Sequence, residues 1–306
     1  MDSDVMEELQ YLNAGGFTYA YRRYGDYEAP AVVLLMGLGL SMEAWPEGII
    51  SGLLADGFQV ITPDNRDAGA SSRFIGWQPG RGAVARAIVR TVLGLSVTGE
   101  YALEDMALDI ERLLDHLGIR RVHVAGVSMG GMIAQVFATQ CPNRVATLTS
   151  ISSAVGNPKT GLGSLRAILA VAGTGDASSP EALKAHFKTV LTALSGSKYR
   201  PTPEELEDAI KSAPRIGYDP IATRRQLIAL LASGNRAKAV RQLRTPTLVI
   251  HGTDDPLLPF AAGEETARLI RGAKLISVEG LGHQLPPSLM GAYAKWIAEE
   301  CHAHPA

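Results

Sequence analysis

One serine in this chain sits where an alcohol can be made into a nucleophile. Ser128 lies in Gly126-Val127-Ser128-Met129-Gly130, with glycine at minus two and plus two. An apolar, β-branched run leads into it and a helical run, 129–141, follows, so the segment reads as strand, tight turn and helix. In so sharp a turn the serine's neighbours must lack side chains, or they collide with the strand and helix. The turn lifts the hydroxyl off the sheet edge at the positive end of a helix. A Gly-rich turn can instead cradle phosphate, but the phosphate loops need GxxxxGK followed by Ser or Thr, or GxGxxG, and neither pattern is present.

A serine hydroxyl is a weak nucleophile at neutral pH and needs a base to take its proton. Histidine suits that role. Of the seven histidines, His116 and His123 flank the strand before Ser128 and look structural, His186 falls in a helical region, and His302 and His304 lie in the tail. His283 stands in Glu279-Gly280-Leu281-Gly282-His283-Gln284-Leu285-Pro286, where a strand ends and two glycines loosen the loop. A residue after a parallel strand's C-terminal end falls on the same sheet edge as Ser128. The base in turn needs a carboxylate to orient it. His251-Gly252-Thr253-Asp254-Asp255-Pro256 follows the preceding strand and offers two adjacent carboxylates, only one of which can point at the base. The tetrahedral oxyanion needs backbone N–H donors. One is expected from Met129, just after the serine, and the other from Leu38, between Gly37 and Gly39 in the loop after the strand at 31–36.

The elements that must hold these groups are legible in outline. Residues 7–24 read as two strands turning at Asn13-Ala14-Gly15-Gly16. The run at 31–36 is continuously apolar, as a strand buried on both faces should be. A helix is expected over 43–55, a strand over 59–62, and a helix over 101–117. The strand and helix around Ser128 come next, then a strand over 145–150. Strands alternating with helices predict a parallel sheet covered on both faces. From 154 to about 242 the rhythm breaks. Helical patterns recur near 162–172, 181–194, 203–212, 220–232 and 235–243, with no convincing strand, which predicts a helical cap inserted into the core. The sheet then resumes with strands at 247–251 and 274–278 and helices at 264–270 and 288–301. The expected division is a core of 1–153 and 243–306 and a cap of 154–242.

The chain has 306 residues, 46% hydrophobic and 20% charged, enough for one large α/β domain with an insertion. A formal net charge of −2 gives no footprint for nucleic acid. The opening Met1-Asp2-Ser3-Asp4 is acidic and unlike a signal peptide, and no uncharged apolar run is long enough to make a transmembrane segment. The two cysteines, Cys141 and Cys301, lack metal-ligand spacing and read as structural thiols in a reducing cytoplasm. No acidic residue falls between Asp67 and Glu100, while Arg73, Arg81, Arg86 and Arg90 do. Residues 83–93 are expected to form a basic amphipathic helix. Its plain reading is a surface helix covering part of the core or a contact in a homodimer, and its sharper one a lid or a membrane-surface element.

With these motifs in hand, the chain resembles the α/β-hydrolase superfamily over nearly its whole length. The resemblance rests on Met36-Gly37-Leu38 with Trp45 downstream, Asp64-Asn65-Arg66-Asp67, Gly126-Val127-Ser128-Met129-Gly130, His251-Gly252-Thr253-Asp254-Asp255-Pro256 and Gly282-His283. Within the superfamily it looks like the aclacinomycin methylesterase type of carboxylesterase. The resemblance implies an α/β-hydrolase fold: a mostly parallel eight-stranded sheet, helices on both faces and an inserted helical cap. It places the acid just before Pro256, at Asp255, and sets the order Ser, Asp, His. The chain departs from the pattern in having Met36-Gly37 where His-Gly is common and Arg66-Asp67 where Arg-Gly is usual.

The activity implied is cleavage of a small-molecule carboxylic ester, of small or medium apolar or polyketide-like character, through an acyl-enzyme on Ser128, with no metal or cofactor required. A carbon–carbon bond hydrolase or a lactonase uses the same three groups. The cap's cations, among them Lys184, Lys188, Lys198, Arg200, Arg224 and Arg225, suit either a substrate carboxylate or a solvated face. A receptor on this fold is the reading from another class, and the intact Ser, Asp and His disfavour it.

Overall fold

The computed structural model describes residues 8–172, 179–212 and 217–306. The acidic opening at 1–4 and residue 7, at the start of the first predicted strand, lie outside them, as do the corresponding parts of 154–242.

The N-terminal hairpin pairs β1 (Gln10–Ala14) with β2 (Phe17–Tyr24) through Gly15 and Gly16, whose φ of 59° and 82° fit a tight two-residue turn. β3 (Ala31–Leu35) and β4 (Gln59–Pro63) follow, with every residue buried. Between them a 3-10 turn, Met42–Ala44, precedes α1 (Glu47–Ala55). The single helix expected over 43–55 is thus broken. Pro46 disfavours helical geometry at Trp45, which adopts φ −69°, ψ 126°.

α2 (Arg81–Val92), α3 (Leu103–His116), β5 (Val122–Val127), α4 (Met129–Gln140) and β6 (Val145–Ile151) come next. Among the described residues between β6 and β7 the regular elements are helices: α5 (Leu165–Ala172), α6 (Pro180–Leu194), α7 (Pro203–Ser212), α8 (Pro220–Ala232) and the short α9 (Ala237–Val240). Side-chain oxygens of Ser179 and Asp219 cap α6 and α8, each ahead of a proline at the first helical position. β7 (Thr247–Gly252), α10 (Phe260–Leu269), β8 (Lys274–Val278) and α11 (Met290–Ala303) complete the chain. α10 begins earlier than the helix expected over 264–270, directly after Pro259.

The eight strands form one sheet in the order β1-β2-β4-β3-β5-β6-β7-β8. β2 is antiparallel to both of its neighbours, and all pairs from β4 through β8 are parallel. Successive residues of β3 serve opposite faces. Val33 and Leu35 join a core with α3, α4 and α10, while Val32 and Leu34 join one with α1 and α11. Each fully buried Leu or Ile contributes about 1.5–3 kcal/mol, which rigidifies the central strands whose ends carry the candidate groups. Among the described residues no helix is long and apolar enough to cross a membrane.

The basic stretch forms α2, which packs Val84 and Ala87 against Ile228 of α8 and leaves Arg81, Arg86 and Arg90 exposed. Two of the insert's lysines are paired, Lys211 with Glu207 and Asp208 and Lys198 with Glu279 of the core.

Candidate active site

Ser128 is held at φ 55°, ψ −119°, a strained conformation for a side-chain-bearing residue, between β5 and α4. Three contacts hold the strain in place. Ser128 N–H donates to the Ile151 carbonyl at 2.9 Å, Ser153 Oγ–H donates to the Ser128 carbonyl at 2.8 Å, and Met132 N–H donates to the same carbonyl at 3.2 Å. The flanking glycines are dictated by space. A Cβ on Gly126 falls 2.3 Å from the Gly130 backbone, and one on Gly130 falls 2.0 Å from the Leu35 carbonyl oxygen. On Gly131 it meets Ser153 Cβ at 2.7 Å.

His283 and Asp255 converge on this serine. Ser128 Oγ lies 2.9 Å from His283 Nε2, and His283 Nδ1 lies 2.7 Å from Asp255 Oδ2. Asp255 is buried and turned by its own loop: Oδ1 accepts the N–H groups of Leu257 and Leu258, both at 2.9 Å, leaving Oδ2 for the imidazole. With the carboxylate accepting, His283 carries its proton on Nδ1 and presents a bare Nε2 to the hydroxyl. Asp254 points elsewhere. It is exposed, accepts Ser197 N–H at 3.2 Å, and hydrogen bonding from Ser197 holds its carboxyl below the ordinary value.

His251 was not singled out for the site, yet it supports the acid. Fully buried, it bonds the Leu258 carbonyl through Nε2 at 2.8 Å and lies 3.5 Å from Asp255 Oδ2. Burial pushes its pKa down from 6.5, so it is neutral at neutral pH.

The glycines before His283 bring the insert into contact instead of loosening the loop. A Cβ on Gly282 falls 2.2 Å from the Leu194 carbonyl oxygen and 2.3 Å from Gly196 N. His283 N–H donates to that Leu194 carbonyl at 2.8 Å, and Lys198 N–H donates to the Gly280 carbonyl at 3.0 Å. Gln284 Nε2 donates to the Tyr199 carbonyl. The segment after α6 therefore braces the histidine.

The loop after β3 carries Gly37 beside the serine, with a Cβ there at 3.4 Å from Ser128 Cβ, an ordinary contact. Gly39 has φ 70°, and its absent Cβ makes room for Thr223 of α8, whose Oγ1 would stand 2.7 Å away. The glycine at this position is set by contact with the insert. Leu38 lies between the two, and Met129 N–H is the first of the helix's unsatisfied donors. Asp64 Oδ1 accepts Met42 N–H at 2.6 Å and Asn65 Nδ2 donates to the Met36 carbonyl at 3.0 Å, fastening both ends of this loop.

Asp67, where glycine is usual, adopts φ 65° and is enclosed by donors. Arg225 Nε and Nη2 reach its two oxygens at 2.9 and 2.8 Å, Tyr101 Oη donates at 2.7 Å and Phe74 N–H at 2.8 Å. Among the described residues, no group of three or more His, Cys, Asp or Glu side chains is placed to hold a metal ion.

The chain belongs to the alpha/beta hydrolase fold family, whose model matches residues 30–286. Its class is hydrolase. It is 26% identical over 288 residues to rhodomycin D methylesterase DnrP of Streptomyces peucetius, covering 86% of this chain and 87% of that protein. The enol-lactonase of Burkholderia xenovorans LB400 superposes with a TM-score of 0.71 at 22% identity, over 96% of this chain and 100% of that one. The meta-cleavage product hydrolase CumD of Pseudomonas fluorescens IP01 superposes with a TM-score of 0.74 at 20% identity, over 96% and 97% of the two chains.

Proposed function

We propose that this hydrolase cleaves a carboxylic ester through an acyl-enzyme, with Ser128 as nucleophile, His283 as general base and Asp255 as the orienting acid. Leu38 and Met129 N–H groups serve as oxyanion donors, and residues 154–242 act as a cap over a core of 1–153 and 243–306. The observation that carries the reading is the unbroken relay from Ser128 Oγ to His283 Nε2 at 2.9 Å and from His283 Nδ1 to Asp255 Oδ2 at 2.7 Å.

The chemistry follows from that relay. As Ser128 Oγ attacks the ester carbonyl carbon, its proton passes to His283 Nε2, and buried Asp255 stabilises the imidazolium. The carbonyl oxygen becomes an anion and accepts from the two N–H groups, aided by the positive end of α4. The intermediate collapses, the C–O bond to the alcohol breaks, and His283 returns the proton to the departing oxygen. Water, deprotonated by the same Nε2, then attacks the acyl-enzyme and releases the acid and Ser128.

The substrate class proposed is a small or medium ester of apolar or polyketide-like character. Support comes from the methylesterase among the relatives and from the apolar contact between insert and site loop, where Leu183, Phe187, Ile210 and Tyr218 meet Leu40 and Ala44. The two unpaired cysteines fit a reducing cytoplasm.

The test is a panel of methyl and aryl esters, lactones and carboxylated dienones, run on the wild type and on Ser128→Ala. Ester turnover is expected in the wild type alone, with a serine-directed phosphonate labelling Ser128. Preferential turnover of a dienone or lactone assigns the bond differently, and turnover that survives Ser128→Ala ends the reading.

A further inference from the structure

α8 belongs to the insert, yet two consecutive residues of it are buried among the core loops that flank Ser128. Gln226 is fully buried. Its Oε1 accepts Gly39 N–H at 2.8 Å, and its Nε2 donates to the Arg66 carbonyl at 2.7 Å. One amide thereby joins the loop after β3 to the loop after β4. Its orientation is forced, because a flipped amide would set NH₂ against an N–H and oxygen against a carbonyl. Arg225 pins the helix beside it by gripping Asp67, and Thr223 fills the space that Gly39 leaves open.

The bond to Gly39 fixes the plane of the Leu38–Gly39 peptide. That plane sets ψ of Leu38 and so constrains the adjoining peptide, which carries Leu38 N–H. The lower parts of the loop are already tied to Asp64 and Asn65. The tip is the part that Gln226 holds.

We propose that Gln226 is a positioning residue for the oxyanion loop: the insert delivers an amide that aims Leu38 N–H at the developing anion. The proposal rests on the reading of Ser128 as nucleophile and Leu38 N–H as donor. It makes α8 part of the transition-state apparatus as well as of the cap.

Two variants test it. Gln226→Met keeps the side chain's length and removes both hydrogen bonds. Misaiming one oxyanion donor should lower kcat by about 10–100-fold, since outright removal of such a donor costs about 10²–10³, with KM held within about threefold. Affinity for a boronic acid that mimics the tetrahedral intermediate should fall in parallel with kcat/KM. Gln226→Glu carries the test if the first variant does not fold. Protonated, its carboxyl accepts from Gly39 and donates to Arg66 as the amide does; ionised, it repels the Arg66 carbonyl and sets a negative charge beside the oxyanion. Its kcat should gain a falling limb at rising pH that the wild type lacks.

The inference is overturned if Gln226→Met keeps kcat within twofold of the wild type, or if Gln226→Glu follows the wild-type pH profile. If the wild type turns over no ester and Ser128 takes up no phosphonate, the reading of the site falls and the inference with it. Wild-type turnover that depends on Ser128, with unaltered Gln226 variants, removes the inference alone.

Discussion

His283 is held through its backbone by Leu194: the imidazole-bearing residue donates its N–H to a carbonyl at the end of α6, 2.8 Å away. The candidate base is thus set by a residue some ninety positions earlier in the chain, through a contact that only a glycine at 282 permits. Gly282→Ala would drive a Cβ to 2.2 Å from that carbonyl oxygen, a clash with backbone that no side-chain rotation relieves. We expect about a 10²-fold loss of kcat, the usual cost of an ångström-scale misplacement, with the far-ultraviolet circular dichroism unchanged. Retention of wild-type kcat would show that the Leu194 contact does not govern the base.

The two adjacent carboxylates should behave very differently. Asp255→Asn replaces the acceptor facing His283 Nδ1 and favours the wrong tautomer, for a loss of about 10³–10⁴ in kcat. Asp254→Asn removes an exposed acceptor for Ser197 N–H and should change kcat by less than about threefold, surface changes away from the chemistry being nearly neutral. Steady-state kinetics on an aryl ester decide, and equal losses in both variants would defeat the assignment.

Asp67→Gly should destabilise the fold although it relieves a backbone strain. Glycine accepts φ 65° readily, a gain of about 1 kcal/mol. The loss is larger, because Arg225, whose side chain is 4% exposed, is left buried without its carboxylate. Breaking a buried pair from one side costs about 3–5 kcal/mol, so the net fall should be about 2–4 kcal/mol in urea unfolding. Adding Arg225→Leu should recover most of it. A single variant as stable as the parent would mean that loss of the carboxylate costs no more than the ~1 kcal/mol that the relieved strain returns.

Two buried histidines and a buried carboxyl should pull the acid stability in opposite directions. Burial pushes Asp64 up from 3.8 to about 6, so its protonation favours the folded state as pH falls below about 6. Burial pushes His123 down from 6.5 to about 4 and lowers His251 as well. Both are neutral in the folded state and take up protons more readily when unfolded. Their contribution is therefore complete above about pH 6.5 and is lost as pH falls toward the folded values. Each costs up to about 1.4 kcal/mol per pH unit in that window. The histidine effect is isolated by comparison. Between pH 7 and pH 5 the urea midpoint of the wild type should fall relative to that of His123→Leu, which keeps the Asp64 contribution and loses that of His123. The same pH dependence in the wild type and in His123→Leu would refute the account.

Much of this was legible in the sequence because local rules coincide with the tertiary ones. The glycines around Ser128 announce a turn whose sterics the structure reproduces atom by atom, and the apolar run at 31–36 reads as β3 because both its faces are covered. The breaks in rhythm between β6 and β7 mark the inserted helices to within a few residues. The features without a local signal depend on long-range packing. The break at Pro46 outranked helical periodicity. Gly39 and Gly282 looked like loop residues and are packing residues against the insert. Gln226 carries no local signal at all, since a glutamine in a helix is ordinary until its partners are known. Asp67 did give one, as a bulky residue where glycine is usual, and that oddity is answered by Arg225 more than a hundred and fifty positions away.

β6 and β7 are neighbours in the sheet, with Ile151 beside Ile250. The polypeptide departs for its helical excursion and comes back at adjoining rungs, so the two ends could be spliced to a foreign module of any size without disturbing a strand. Such a chimera would nonetheless inherit a buried aspartate at position 67 stripped of its guanidinium, with Tyr101 and Phe74 as its remaining donors, and an untethered loop tip at Gly39. A transplanted module must bring its own guanidinium and its own amide to those two spots, which limits the donors from which one could be taken.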